Sequence, residues 1–300
     1  IYAPASQVQP PSGMLLIYVC ANQKDTLIYS DVAVDPQPMT QVFRVDNLIG
    51  AKHGGQLATL SSICGAHTCF DTFNILGWNG RAFVSLMAEP LTLPSAGYVL
   101  SKKDTETAYH IEAQGGVVAS TGAGPQRSDT QVWKWNGAQF AKVSSTLSPI
   151  EYRIHAIYEA DDAFAKNDYQ SAVDGYSRAI TDDSLKDWLT EIGYSKAHDR
   201  ATLTAYARFR LLLIGVLRGD ANASDQLDQL TNDFPANNPD HIIQQMASIF
   251  WSKYQATKDI KTACAAADAF ANDKYQITDN LSLFGYANRW YTSDDMCPIK

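Results

Sequence analysis

The chain has 300 residues, of which 45% are hydrophobic and 19% are charged, and its formal net charge is −8. This composition excludes a disordered chain, and the length is enough for one large domain or two ordinary ones. The acidic balance, without any run of basic residues, argues against nucleic acid and anionic lipid as partners.

Residues 1–13 are predicted to be a tether. The segment is rich in Pro, Ser and Gln and begins without methionine, as expected of an extracytoplasmic protein that is either released or held by an upstream lipid anchor. The most apolar run, residues 211–217, is flanked by Arg210 and Arg218. A membrane-spanning helix needs about 20 apolar residues, so no transmembrane segment is predicted.

Residues 14–147 predict an antiparallel β domain, because short β-branched and aromatic runs alternate with Gly, Pro, Asn and Asp. Three runs resemble one another: "TQVFRVDN" from Thr40, "DTFNILGWNG" from Asp71 and "TQVWKWNG" from Thr130. A strand–turn–strand unit that recurs in this way is typical of propeller-like blades.

Two Asn-Gly pairs predict the turns of these hairpins. Asn79-Gly80 and Asn136-Gly137 suit two-residue type I′ turns, and the aromatic residues on either side would then pair across the strands. Trp78, Trp133 and Trp135 are expected in the hairpin core.

Residues 148–300 predict a helical-repeat domain. Ser148-Pro149-Ile150-Glu151 resembles a helix start with a capping box. Apolar and small residues then recur at helical spacing, first in a hairpin over about residues 154–179 that resembles a tetratricopeptide unit, and later with less regular repeats. The predicted fold class is therefore α+β with two segregated domains.

Five stretches together resemble a known family. They are "CGAHTCF" from Cys64, "LGWNGRAFVSLMAEP" from Leu76, "GAGPQR" from Gly122, "YRIHAIYEADDAFAKNDYQSAV" from Tyr152 and "FGYANRWYTSDDMCP" from Phe284. The chain resembles bacterial extracytoplasmic, often lipid-anchored proteins with FG-GAP/VCBS-like β-propeller blades followed by tetratricopeptide-like helices. The resemblance implies secretion and a non-catalytic architecture.

Such blades often carry a calcium loop with carboxylates at alternate positions. The connectors near Asp46 and Asp104 have too few carboxylates for such a loop. We therefore predict no calcium site in this chain, and we expect no other metal or cofactor.

The cysteines give the clearest chemical signal. Cys64 and Cys69 bracket His67, which leaves three possibilities: a zinc site with His53 as a fourth ligand, a redox pair, or a disulfide. Three nearby ligands at unusual spacing are too few for a closed zinc site, and the spacing is not that of a C-x-x-C redox motif. A disulfide is favoured, and it indicates an oxidising compartment.

The remaining cysteines predict one further bridge and one free thiol. Cys264 and Cys297 would join the C-terminal tail to the last helix. Cys20, in an apolar strand, is expected to be a buried unpaired thiol.

No catalytic motif is present. The sequence contains no H-E-x-x-H, G-x-S-x-G or P-loop, and the glycine-rich stretch at Gly122 is interpreted as a loop between strands. His198 could serve acid–base chemistry, but no partner nucleophile is identifiable, and a solvated turn between helices is favoured. The acidic pairs are expected to be solvated, because adjacent side chains on a helix diverge; they are Asp161/Asp162, Asp182/Asp183 and Asp294/Asp295.

The leading hypothesis is a non-enzymatic, extracytoplasmic binding or scaffold protein that engages a protein or peptide through its helical-repeat surface. An alternative is a structural subunit of a cell-surface assembly, and a third, less favoured, is a glycan or cell-wall hydrolase. Sequons at Asn222 and Asn280 carry little weight because such triplets are common by chance. The oligomeric state is left open.

Overall fold

The chain folds into two units. The computed structural model describes residues 2–3, 14–21, 24–32, 39–50, 54–65, 67–120, 122–194 and 198–299. The β unit comprises Ile1–Thr121 and Gln126–Ser148, and the helical unit comprises Gly122–Pro125 and Pro149–Lys300. Of the predicted tether, only Tyr2 and Ala3 are described.

The β unit consists of strands connected by short loops. They are β1 (Tyr2–Ala3), β2 (Met14–Ala21), β3 (Lys24–Val32), β4 (Met39–Asp46), β5 (Gln56–Cys64), β6 (Cys69–Trp78), β7 (Phe83–Ser85), β8 (Leu91–Pro94), β9 (Gly97–Ser101), β10 (His110–Gly115), β11 (Asp129–Trp135) and β12 (Phe140–Leu147).

These strands form three antiparallel sheets. The sheet orders are β1-β2-β3, then β4-β5-β6-β7 with β8 also paired to β6, and β12-β11-β10-β9. An N-terminal antiparallel β region is therefore confirmed. Within the described residues the strands close neither a barrel nor a propeller, and the blade-like interpretation stays a prediction.

The two Trp-Asn-Gly repeats form matching loops, but not the predicted two-residue turns. Trp78 pairs with Phe83 in one hairpin and Trp135 with Phe140 in the other, which leaves four residues in each loop. In each loop the side-chain oxygen of the Asn accepts hydrogen bonds from the backbone N–H groups two and three residues later. An Asn that caps the loop in this way stabilises the longer connection.

The aromatic residues beside these loops pair as predicted. The ring centroids of Trp78 and Phe83, and those of Trp135 and Phe140, are each 5.5 Å apart. Trp133 is buried in the core, also as predicted, and Trp135 is half-buried. The core position predicted for Trp78 is wrong, since the residue is 45% exposed: it ends its strand, and its ring covers Phe83 at the end of the sheet.

The helical unit contains the helices α1 (Arg153–Ala165), α2 (Tyr169–Thr181), α3 (Trp188–Glu191), α4 (Asp199–Arg218), α5 (Asp225–Asp233), α6 (His241–Thr257), α7 (Ile260–Asp273) and α8 (Gln276–Leu281), followed by a 3-10 turn at Ser293–Asp295. A helical C-terminal region is therefore confirmed. Among the described helices, none is long and apolar enough to cross a membrane.

The predicted start of the first helix is wrong. The helix begins at Arg153 after an extended Tyr152, and no side chain caps it. The backbone N–H of Lys186 donates to the carbonyl of Glu151, and the Lys186 ammonium lies 2.6 Å from the Glu151 carboxylate. Because Glu151 pairs with a residue distant in sequence, it does not serve as the third residue of a capping box.

Helices α1 and α2 pack closely, as their small residues predict. A Cβ added to Gly175 would lie 2.8 Å from the Cβ of Ala160, so this crossing has room only for glycine. All but one of the apolar residues predicted for this hairpin are buried, and the exception, Tyr169, is partly buried. The buried ones are Ile154, Ile157, Ala160, Phe164, Ala172, Tyr176 and Ala179. The tetratricopeptide-like nature of the array stays a prediction.

Candidate functional site

A buried carboxylate lies at the centre of the helical unit. Asp161, in the third turn of α1, accepts hydrogen bonds from three tyrosine hydroxyls. The oxygen–oxygen distances are 2.5 Å to Tyr176, 3.0 Å to Tyr206 and 2.7 Å to Tyr291. These donors come from α2, α4 and the C-terminal segment, so one side chain links three parts of the unit.

Burial keeps these tyrosines as donors. Desolvation raises the pKa of Tyr176, Tyr206 and Tyr291 well above the ordinary value, and the charge of Asp161 acts in the same direction. Each hydroxyl therefore holds its proton across the physiological range and presents it to the carboxylate.

Arg210 supplies the cation of this cluster. Its side chain is 2% exposed, and its guanidinium carbon lies 4.2 Å from the centroid of the Phe164 ring. Nε donates to the hydroxyl of Tyr176 at 2.9 Å, and Nη1 donates to the carbonyls of Asp295 and Met296, each at 3.2 Å. A buried guanidinium is thus fixed by α2 and by the C-terminal segment.

A cavity of about 590 Å³ opens beside this cluster. Asp161, Tyr206, Arg210 and Tyr291 line one part of it, and the aliphatic side chains of Leu217 and Ile299 line another. Its volume lies in the range of pockets that hold small molecules.

The rim of the cavity carries an exposed aromatic residue and an ion pair. Trp290 is 70% exposed, the highest value among the large hydrophobic residues described. Arg289 Nη2 lies 2.5 Å from Asp162 Oδ1, and its guanidinium carbon lies 5.0 Å from the Tyr158 ring centroid. The rim thus combines a flat apolar surface with charges that already neutralise each other.

The sequence did not reveal this site. The solvated role predicted for Asp161 is wrong, because the side chain is 9% exposed and fully hydrogen-bonded. Asp162 is exposed, as expected. One local signal was present: Tyr206 and Arg210 are four residues apart and therefore share a helix face.

His198 has a partner that the sequence also did not reveal. Its Nδ1 lies 3.0 Å from Asp240 Oδ2 and 2.9 Å from the Thr202 hydroxyl, which donates to the other oxygen of Asp240 at 2.7 Å. His198 precedes α4 and Asp240 precedes α6. The cluster therefore joins two helix N-termini, and its one hydroxyl, that of Thr202, donates its proton to Asp240.

The other predicted acidic pairs lie at the ends of elements. Asp182 pairs with Arg178 and Asp183 with Arg200, whereas Asp295 accepts from the backbone and hydroxyl of Thr292. Asp182 and Asp183 do not line the cavity, whereas Asp295 does.

Both predicted disulfides are present. Cys64 and Cys69 face each other across β5 and β6 and are bonded, with His67 in the exposed connecting loop. The sulfurs are therefore not available as zinc ligands, and His53 lies outside the described residues. Cys264 in α7 is bonded to Cys297 in the C-terminal segment.

The expected burial of Cys20 is wrong. The residue is unpaired, as predicted, but it is exposed. It lies near the hairpin end of β2 opposite Asp25, where the neighbouring Val19 is 45% exposed. The apolar run that predicted burial is therefore buried only at its start, at Leu15, and is exposed at its end.

No cluster of three or more potential metal ligands occurs among the residues that the structure describes.

The two sequon asparagines differ in exposure: Asn222 is exposed, and Asn280 lies half-buried in α8.

Comparison of the chain with protein-family models, with curated proteins and with solved structures gives no match. The resemblance to FG-GAP/VCBS-like and tetratricopeptide-like proteins therefore stays a prediction, and the function rests on the site itself.

Proposed function

We propose that the chain is a non-enzymatic, extracytoplasmic binding or scaffold protein that engages a protein or peptide partner through its helical unit. The cavity beside Arg210, with Trp290 exposed at its rim, is the observation that carries this proposal. Exposed tryptophan next to a pocket is typical of residues that contribute most to binding.

The extracytoplasmic location is supported by the disulfides. Bonds such as Cys64–Cys69 and Cys264–Cys297 persist in oxidising compartments and are rare in a reducing cytosol.

Site-specific photo-crosslinking in intact cells tests the proposal. A photoreactive phenylalanine analogue would replace Trp290 or Tyr275 on the helical unit, or Val143 on the β unit, each of which is more than half exposed. We expect the helical-unit positions to form an adduct with a second protein. Adducts that form only from Val143, or from none of the three positions, would contradict the proposal.

A second candidate is a structural subunit of a surface assembly. Strand β12 lies at the edge of its sheet, and its side chains Val143 and Leu147 are 56% and 48% exposed. An edge with exposed apolar residues can pair with another copy. This function predicts a crosslink from Val143 to the same protein, together with concentration-dependent growth in solution, and a chain that stays monomeric would contradict it.

A further inference from the structure

We propose that the cavity of the helical unit binds an uncharged segment of the partner's polypeptide, with an apolar side chain in the cavity and a backbone carbonyl on Nη2 of Arg210. The inference rests on the proposed function and names the chemistry of the partner.

The first step is the hydrogen bonding of Arg210. Nε and Nη1 are satisfied within the unit, as described above. Among the described residues Nη2 makes no hydrogen bond, and its ion-pair partner Asp161 is 3.7 Å away, which is too far for one. Since Arg210 lines the cavity, an acceptor oxygen placed there by a ligand can accept a hydrogen bond from Nη2.

The second step is the charge of the lining. Its three carboxylates and two guanidinium groups are already engaged: Arg210 with Asp161, Arg289 with Asp162, and Asp295 with Thr292. A carboxylate ligand would be repelled, because the lining has one more acidic than basic group. A cationic ligand would have to compete for carboxylates that are already hydrogen-bonded. A neutral acceptor avoids both penalties, and a peptide carbonyl is one.

The third step is the apolar part of the lining. Leu217, Ile299, Pro298 and Ala165 present aliphatic carbon to the cavity. Burying an apolar side chain against them is favourable, whereas the hydroxyls of a sugar placed there would lose their hydrogen bonds to water. The combination of the Arg210 Nη2 donor with an aliphatic wall therefore favours a peptide over an oligosaccharide.

The test titrates defined probes into the full chain and follows binding by calorimetry. The probes are N-acetylated, C-amidated hexaglycine (the Gly peptide), the same peptide with one central residue changed to Leu, Phe, Asp or Lys, and maltohexaose as a neutral sugar. We expect the Leu or Phe peptide to bind at least about tenfold more tightly than the Gly, Asp and Lys peptides, the equivalent of about 1.4 kcal/mol. Equal binding of all peptides, or tighter binding of maltohexaose, would overturn the inference.

Two further comparisons locate the binding. Trp290→Ala should weaken the best peptide by about tenfold, whereas Tyr275→Ala, which removes an exposed aromatic that does not line the cavity, should leave it unchanged. Arg210 is too buried to replace safely, so its role is tested on the ligand: a thioamide, a weaker acceptor, is placed at each peptide carbonyl in turn. One position should weaken binding by about fivefold or more, and no effect at any position would rule out the carbonyl contact.

The outcomes separate this inference from the proposed function. If no probe peptide binds but Trp290 or Tyr275 still crosslinks to a protein in cells, the inference is wrong and the binding function stands. If neither result is obtained, both are wrong.

Discussion

At the scale of single residues, Gly124 makes the closest backbone approach that a glycine makes in the helical unit. A Cβ added there would lie 1.6 Å from the carbonyl oxygen of Phe284, and the φ of Gly124 is +84°. Asn288 secures the same contact by donating to the carbonyl of Ala123. The glycine-rich loop was predictable as a connection between strands. Its place in the helical unit was not, because no local pattern encodes a contact with a segment so distant in sequence.

Gly124→Ala is expected to destabilise the helical unit more than Gly122→Ala. Both glycines have a φ of +84°, but an added Cβ at Gly122 meets nothing within 4 Å. The left-handed conformation should cost each variant about 1 kcal/mol, and overpacking should cost Gly124→Ala about 1–3 kcal/mol more. Urea unfolding followed by circular dichroism measures both losses. Equal losses would show that the segment moves away from Phe284 at little cost.

Tyr291→Phe is expected to lower the stability of the helical unit by about 1.5–3 kcal/mol, because the hydroxyl donates to a buried carboxylate, Asp161. Tyr275→Phe, at a tyrosine that is 62% exposed, is the matched control and should change little. The free energy of unfolding of both variants in urea checks this, and similar values for the two would contradict the central role of Asp161.

At the scale of elements, two helices of this unit begin with aspartates that cap them. Asp259 accepts from the N–H groups of Lys261 and Thr262 at the start of α7, and Asp168 accepts from Ser171 at the start of α2. Hydrogen bonds from Thr262 lower the pKa of Asp259, and hydrogen bonds from Ser171 lower the pKa of Asp168. Asp182, at the end of α2, has its pKa lowered from 3.8 to about 2 by Ser184 and Arg178.

These shifts predict a loss of helical stability in acid. A carboxyl group whose pKa is lower in the folded state stabilises that state above its unfolded pKa, and the contribution disappears as the pH falls through the folded value. Thermal unfolding should therefore change little from pH 6 to about 4, and the melting temperature should fall between pH 3.8 and about 2.

Two substitutions assign part of this effect to α7. Asp259→Asn keeps a capping oxygen that does not titrate, so the fall in acid should be smaller. Thr262→Val removes one donor to Asp259 and so brings the folded pKa of this carboxyl group closer to its unfolded value; the fall should then be smaller and should end at a higher pH. An Asp259→Asn chain with the same acid profile as the unaltered chain would contradict the assignment.

The elements themselves were largely predictable, and the site was not. Asp240 and Asp259 directly precede α6 and α7, and Gly219 ends α4 in a left-handed conformation, which are the positions that these residue types prefer. These signals are local. Asp161 and Arg210 lie on different helices. The sequence alone therefore predicts a solvated acid at Asp161 and only the flank of an apolar run at Arg210. The packing of the two helices makes them a buried pair.

At the scale of the whole molecule, each unit contains one disulfide. Cys64–Cys69 lies in the β unit and spans five positions, whereas Cys264–Cys297 lies in the helical unit and spans 33. The second bond fixes the C-terminal segment that carries Trp290 and Tyr291 into the site. In the loop-entropy model, the longer loop gives the larger stabilisation.

Removal of the two disulfides should therefore have unequal effects. In a Cys20→Ser background, which prevents exchange with the free thiol, Cys64→Ser/Cys69→Ser should lower the stability of the β unit by about 2 kcal/mol. Cys264→Ser/Cys297→Ser should lower that of the helical unit by about 4 kcal/mol. Hydrogen exchange measured by mass spectrometry on peptides of each unit gives the two values in the full chain. A smaller loss in the helical unit than in the β unit would mean that the C-terminal segment is held by the hydrogen bonds of Arg210 and Asp161 rather than by Cys297, and peptide binding should then survive reduction of the protein.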